Sequence, residues 1–373
     1  MEFILSMSLG INLLLLIFAA KILKKNVANI FLLALLSFVL LGTAFAVLLL
    51  HVKMQTSILT HIVNAMPTMT GGFTYLYVYY SIHSDQKFRS SSLLHLLPLL
   101  FSIPLSYYDF KGIMLISVIF NLGFKIIISM VYFYFSLRII EKHSMLIQNH
   151  FSKTDKIDLK WLAFIVKIGL IIYVVYFLIM LVWVFDNQWI DKLETIPNNL
   201  VLAYILAISY YSLSSTKVFE QISEFQIERN VASNDMLNGS DLEMNYPDKK
   251  ELMTEEKSQL LCLQIKQLIE KGELYKNENL KIEDLARELK LHSKYISYVI
   301  NRVEGKNFFD FINHYRILAF NIEVLKHHNK KLTYLSIAYN CGFGSKSAFN
   351  RVYKNQMGIS PSEYIKKQNS ELN

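Results

Sequence analysis

Two cysteines in 373 residues, Cys262 and Cys341, are too few for a disulfide framework, and neither has a metal-ligand partner at finger spacing. Charge is scarce as well, at 18 % of residues. No nucleophile triad, His/Cys/Asp/Glu cluster, glycine-rich phosphate loop or phosphoacceptor arrangement can be picked out. The chain is therefore read as no enzyme, with no catalytic residues, cofactor or metal. The connections read as lying outside are only a few residues long, except the sixth, Asp186–Ile196, so no extracellular sensor domain is expected.

What is abundant is apolar surface. Hydrophobic residues make up 53 % of the chain, with 25 Phe and 22 Tyr, more than a soluble core requires, yet the net charge is +8. The two properties belong to different halves. Apolar runs long enough to cross a bilayer, about 20 residues each, recur up to Phe219 and then stop. Seven are predicted: Phe3–Leu23, Ala28–Leu50, Ser57–Ile82, Ser91–Tyr108, Gly112–Ile140, Leu162–Phe185 and Pro197–Val218. Hydrophobicity nearly all round each segment leaves no polar face to meet water, so membrane lipid is the expected surrounding.

Lys and Arg concentrate in alternate connections: Lys21, Lys24 and Lys25 in the first, Lys87 and Arg89 in the third, Arg138, Lys142, Lys153, Lys156 and Lys160 in the fifth. The positive-inside rule then puts the N-terminus outside and the C-terminal part in the cytoplasm. Met1-Glu2 lacks the basic leader of a cleaved signal peptide, so the first run is expected to stay as a span. Both cysteines then lie where thiols stay reduced.

Polar residues inside spans are candidates for a signal role. Asn121 and Lys125, one helical turn apart in the fifth span, are selected on that ground; Lys167 sits nearer a span end and is expected to snorkel. His61, Asn64, Met66-Pro67 and Gly71-Gly72 predict a kinked third span. The last span has no mid-membrane Lys for a retinal Schiff base, since Lys217 lies at its edge, and no inverted repeat suggests a transporter. A membrane protein or a lipophilic ligand is the expected source of signal.

Residues 220–257 form a polar, acidic linker with Asn238–Ser240 and a lone Pro247. Val218, Ile222 and Phe225, spaced four then three, predict that the seventh span continues as a short amphipathic or coiled-coil helix; a homodimer is a further expected partner. Roughly 30 flexible residues span only about 30 Å on average. A domain beyond them stays near the membrane.

The last region, 258–373, is predicted as an all-α soluble domain after the polytopic helical bundle. Thr254 opens a helix continued by Leu260, Leu261, Leu263, Ile265, Leu268 and Ile269. Ile282, Leu285, Ala286 and Leu289 then form one apolar face, Lys290-Leu291-His292 a turn, and Ser293 the cap of a second helix with Ile296, Val299 and Ile300 inward. A linking helix over 308–327 follows. Leu332, Leu335, Ile337 and Ala338 repeat the first helix, Cys341-Gly342-Phe343-Gly344 the turn, and a helix from Ser345 with Ala348, Phe349 and Val352 inward the second. Two helix-turn-helix units, 280–303 and 332–355, are thus predicted as an internal duplication.

The outward residues of each second helix are the candidate DNA contacts: Lys294, Tyr295, Ser297, Tyr298 and Asn301 in the first, and Ser345, Lys346, Ser347, Asn350, Arg351 and Lys354 in the second. They combine hydrogen-bonding groups for base edges with cations for phosphates. From Lys281 onward 15 Lys and Arg face 8 Asp and Glu, a surplus suited to a polyanion.

Ile337, Ala338, Gly342, Phe343, Ser345, Ser347, Phe349, Arg351, Lys354, Gly358, Ser360, Pro361 and Tyr364, with Tyr353 at a usual Phe position, fall in one ordered pattern. Leu285-Ala286, Asn307-Phe308, Asn313 and Tyr315-Arg316 extend it upstream. Over the last hundred residues this resembles the AraC/XylS family of bacterial transcription regulators. The resemblance implies two helix-turn-helix units on successive major grooves of double-stranded promoter DNA, about 34 Å apart. It assigns Ile337, Ala338, Phe343, Phe349 and Pro361 to the fold, and leaves Lys346, Asn350 and Arg351 as the foremost candidates for base or phosphate contact. A membrane-anchored one-component transcription regulator is the function expected; the rival is a membrane transporter or receptor scaffold with a protein-binding helical tail.

Overall fold

The computed structural model describes residues 2–22, 27–52, 61–62, 65–83, 86–110, 114–154, 159–185, 200, 204, 207–208, 210–211, 254–326 and 333–371. All named elements among them are helical. The chain divides into two compact units, Met1–His143 with Leu159–Leu237, and Ser144–Asp158 with Asn238–Asn373.

The first unit contains α1 (Glu2–Ile22), α2 (Val27–Val52), α3 (Met69–Ile82), α4 (Leu97–Phe110), most of α5 (Met114–His150) and α6 (Lys160–Phe185). Among the described residues three stretches are long and apolar enough to cross a membrane: Val27–Phe45, Phe120–His150 and Lys160–Val182. Large apolar side chains stand exposed along these helices, Phe120 at 68 % and Phe164 and Ile171 at 61 %. A water-facing helix would carry polar residues there. The expected seventh span lies mostly outside the described residues, as does the linker before Thr254.

Where the sequence predicts a kink in the third span, Met66–Thr68 forms a 3-10 turn with Pro67 near its start, and the Pro67 carbonyl accepts from Tyr173 Oη at 3.3 Å. Gly71 lets α3 approach α5, because a Cβ there would lie 2.8 Å from Ser129 Cα. The fourth expected span differs in form: Ser90–Leu96 is a 3-10 segment, and only then does α4 begin, with Pro104 inside it. The fifth runs ten residues beyond its expected end at Ile140, to His150. Its charged extension, Arg138 to Lys142, hid that continuation from an apolarity criterion; Arg138 pairs with Glu141 at 3.6 Å.

The second unit holds α7 (Glu255–Lys271), α8 (Ile282–Leu289), α9 (Ser293–Val299), α10 (Phe308–Lys326), α11 (Tyr334–Asn340), α12 (Lys346–Met357) and α13 (Pro361–Glu371). Two cores share α10. Its first half gives Phe308, Phe311 and Ile312 to a cluster with Cys262, Ile265, Ile269, Leu285, Ile296 and Ile300. Its second half gives Ile317, Phe320 and Val324 to a cluster with Ile337, Cys341, Phe343, Phe349, Val352 and Tyr353. Both thiols are buried, and burial pushes each up to about 11. They are packing groups.

The duplication predicted from the pattern is present down to single hydrogen bonds. In the first unit Leu291 N donates to Ala286 O at 3.0 Å; in the second Phe343 N donates to Ala338 O at 3.1 Å. Each six-residue closure needs a left-handed residue just before the donor. The second unit has Gly342 at φ 92°, whereas the first has Lys290 at φ 53°. A Cβ on Gly342 would also overlap the Tyr275 carbonyl and come within 3.0 Å of Arg316 Nε.

The caps differ from expectation in one place. His292, not Ser293, caps α9, with Nδ1 accepting from Lys294 N at 3.1 Å. Thr254 stands at the N-cap of α7 without a side-chain cap bond. Ser360 and Glu363 close a reciprocal box at the start of α13, Ser360 N to Glu363 Oε2 at 2.7 Å and Glu363 N to Ser360 Oγ at 3.2 Å.

The two turns predict opposite mutational signs. Lys290→Gly relieves a left-handed side-chain conflict worth about 1–2 kcal/mol, partly offset by glycine's chain entropy, so the thermal midpoint of the full-length protein in detergent should rise slightly. Gly342→Ala should lower it by the equivalent of more than about 2 kcal/mol. A drop with Lys290→Gly would show that the lysine side chain contributes more than its backbone strain costs.

Candidate nucleic-acid interface

In the second helix-turn-helix unit, α12 turns Phe349, Val352 and Tyr353 inward. Its other side carries Lys346, Ser347, Asn350 and Lys354, all exposed, with Arg351 half-buried beside them. This is the predicted face. Ser345 has a different position, as the N-cap whose Oγ accepts from Ala348 N at 3.1 Å and lies 3.2 Å from Ser347 Oγ. Tyr353, where the family pattern has Phe, donates its hydroxyl to Asn321 Oδ1 at 2.8 Å. Burial raises its pKa, so the phenol stays neutral.

In the first unit the helical run is longer than the sequence suggested. After Val299 the chain continues as a π turn, Ile300–Glu304, stopped by Gly305 at φ 64°. Lys294 and Asn301 are exposed; Tyr295, Ser297 and Tyr298 are half-buried. Asn301 Nδ2 donates to Ser297 O at 2.7 Å, and Tyr298 Oη accepts from Arg302 Nη1, whose Nη2 reaches Glu255 at 3.1 Å. Tyr298 also packs on the first core, and with Tyr295 it lines a depression of about 230 Å³ against Leu260 and Leu261 of α7. The two aromatic candidates thus face α7 with part of their rings, whereas Lys294 and Asn301 point to solvent.

Sequence reasoning passed over Arg302, an exposed cation on the π turn. A regular helix projected from Ser293 does not locate it, because the π turn adds a residue per turn. Lys266 is likewise engaged locally, 2.6 Å from Glu304, which pulls that carboxyl below its usual range.

These are two similar units joined by a helix common to both cores, the first offering Lys294 on its second helix with Asn301 and Arg302 on the π turn after it, the second Lys346, Asn350 and Lys354. The helix-turn-helix domain family matches residues 285–367, from within α8 into α13. Residues 285–367 are an AraC-type helix-turn-helix domain. No curated protein and no solved structure matches the chain. The match supports a DNA-binding regulator of this type, with double-stranded DNA as its partner.

Outside the AraC-type domain, the structure places Asn121 and Lys125 on α5, four residues apart, with Asn121 buried at 5 % exposure and Lys125 half-buried. Elsewhere in the first unit polar groups pair in ways the sequence did not single out. Thr68 donates to Ser102 at 3.1 Å, Thr74 lies 3.4 Å from Tyr204, and Tyr80 lies 2.7 Å from Ser92. Hydroxyls on apolar runs carry no charge to draw the eye.

Three substitutions separate the roles on α12. Ser345→Ala removes a cap and should cost about 1 kcal/mol of stability. Asn350→Ala should leave the thermal midpoint within the equivalent of about 0.5 kcal/mol and weaken binding at one base-pair position by about 1–3 kcal/mol. Lys346→Ala should weaken binding to all duplexes alike and reduce the salt slope by about 1. Binding titrations at several salt concentrations against single-base operator variants make the distinction.

Proposed function

We propose that the chain is a one-component transcription regulator held in the bacterial inner membrane, which binds specific promoter DNA through two helix-turn-helix units in response to a signal sensed by its membrane part. The observation that carries this reading is the joining, in one polypeptide, of an AraC-type domain with exposed cationic second helices and of helices long and apolar enough to span a bilayer. Seven spans, an outside N-terminus and a cytoplasmic C-terminal domain follow from the apolar runs and the basic connections. The reading assigns the chain no catalytic step and no cofactor. Lys294, Asn301, Lys346, Ser347, Asn350, Arg351 and Lys354 meet the duplex; Tyr295, Ser297 and Tyr298 border that face, and Ser345 shapes it. Asn121 and Lys125 are the proposed signal-responsive pair, with a lipophilic ligand or another membrane protein as the source, and a homodimer as the DNA-bound form.

The decisive test is crosslinking and genome-wide recovery of DNA bound by tagged full-length protein, beside an Asn350→Ala, Arg351→Ala variant. Discrete sites that disappear in the variant are expected, recovered from the membrane fraction. Transport or signalling that persists after removal of the C-terminal domain, with no recovered sites, would favour the transporter or scaffold instead.

A further inference from the structure

Residues 144–158 belong to the same compact unit as the AraC-type domain, although more than a hundred residues separate them in sequence. Of their described part, residues 144–150 are the last turns of α5, and residues 151–154 continue from it along the domain. Phe151 forms an antiparallel bridge with Lys281, whose Nζ sits 5.7 Å over the Phe151 ring. Gln148 accepts from Asn307 Nδ2 at 3.2 Å, His150 Nδ1 lies 2.9 Å from Glu283, and Lys153 Nζ donates to Glu278 at 2.8 Å.

Ser152 is the centre of the contact, 1 % exposed. Its N–H and hydroxyl both donate to Leu280 O, at 3.2 and 2.8 Å. Its carbonyl accepts from Asn313 Nδ2 at 3.2 Å and from Arg316 Nη1 at 3.0 Å, and its hydroxyl accepts from Arg316 Nη2 at 3.0 Å. Asn313 and Arg316 are the buried residues of α10 between the two cores, and Arg316 also lies 6.0 Å from the ring of Phe343 in the second turn. Lys153 reaches the same turn, since a Cβ on Gly344 would overlap its Nζ. A passive loop would have no reason to use every polar backbone and side-chain group of one serine on the joint of a domain.

We propose that residues 151–154, with Gln148 and His150 at the end of α5 beside them, form a built-in docking strand whose receptor is the joint between the two helix-turn-helix units, and that its seating fixes how the two second helices are presented to DNA. The strand touches the start of α8, the chain before it, α10 and the second turn. Lys294, Asn301, Lys346, Asn350 and Lys354 remain exposed with the strand in place. Seating therefore preorganises the reading faces and does not cover them. The strand follows directly from the end of α5, so a shift of that helix is transmitted to the joint without passing through the long linker. This last step rests on the DNA-binding function proposed above; the docking itself does not.

The test uses Phe151→Cys with Lys281→Cys in the full-length chain in isolated membranes, oxidised with copper phenanthroline and read by mass spectrometry of linked peptides. The native thiols are buried and held protonated, which keeps the background low. Thr154→Cys with Lys281→Cys is the out-of-register control. The 151–281 link should dominate, fall several-fold with Lys153→Glu, and recover when Glu278→Lys is added. Solubilised, oxidised protein should bind duplexes from a random-sequence pool about tenfold more tightly than the Lys153→Glu protein. Equal yields from both pairs would overturn the docking. A strong link with the same affinity in oxidised, reduced and Lys153→Glu protein, or affinity lost on oxidation, would overturn its effect on presentation. A strong link with no duplex bound by any form would overturn the DNA-binding function while upholding the docking.

Discussion

Arg316 is the group on which the organisation of the second unit depends. It is 2 % exposed and makes its hydrogen bonds to neutral acceptors: the carbonyls of Tyr275, Asn277 and Ser152, the Ser152 hydroxyl and Asn313 Oδ1, at 2.8 to 3.1 Å. Burial draws its pKa down to about 10, against the opposing pull of Glu278, so it remains a cation at neutral pH. A buried cation left without partners is strongly unfavourable, which favours the arrangement in which these segments together supply its acceptors. The turn after α7, the strand at Ser152 and the middle of α10 are thereby brought to one point. Gly342 belongs to the same constraint, because only a residue without Cβ lets the second turn close over Arg316 and Tyr275.

Around that point the two helix-turn-helix units solve one geometric problem with different residues. Both close the turn with the same hydrogen bond, but the first tolerates Lys290 in the left-handed region where the second uses Gly342. The first has open space to solvent at that position, with Lys290 exposed; the second is pressed against Tyr275 and Arg316. Caps diverge likewise, His292 in one and Ser345 in the other. Duplication therefore preserves the backbone closure and lets side chains follow local crowding.

Much of this was legible in the sequence. The 3.6-residue period of Ile337, Ala338, Phe349 and Val352 and the glycines between them located the second unit to within a residue or two, because its core is local and strongly amphipathic. The cationic face of α12 followed from the same period. Three things were hidden for identifiable reasons. The π turn at Ile300–Glu304 breaks the period on which projection relies, and so Arg302 was overlooked. His292 was read as turn because a histidine cap depends on a ring nitrogen orientation that composition does not reveal. The membership of 144–158 in the second unit is a contact over some 160 residues, carried largely by backbone groups of Ser152 that every sequence possesses.

The chemistry of that distant contact bears on how firmly it holds. Had a carboxylate neutralised Arg316 from the strand, undocking would strand a charge pair and the joint would behave as a fixed hinge. The strand offers a carbonyl and a hydroxyl instead, groups whose place water can take at modest cost. Its outer ion pair joins Lys153, at 16 % exposure, to Glu278, at 46 %, so solvent screens it in part and it contributes on the order of 1 kcal/mol. The net energy of seating is then small relative to the stability of either core. A contact of that size can be tipped by a modest displacement at the end of α5, while the packed clusters of the two helix-turn-helix units stay intact. Neutral acceptors on a buried cation thus give a joint that is specific in geometry and reversible in energy.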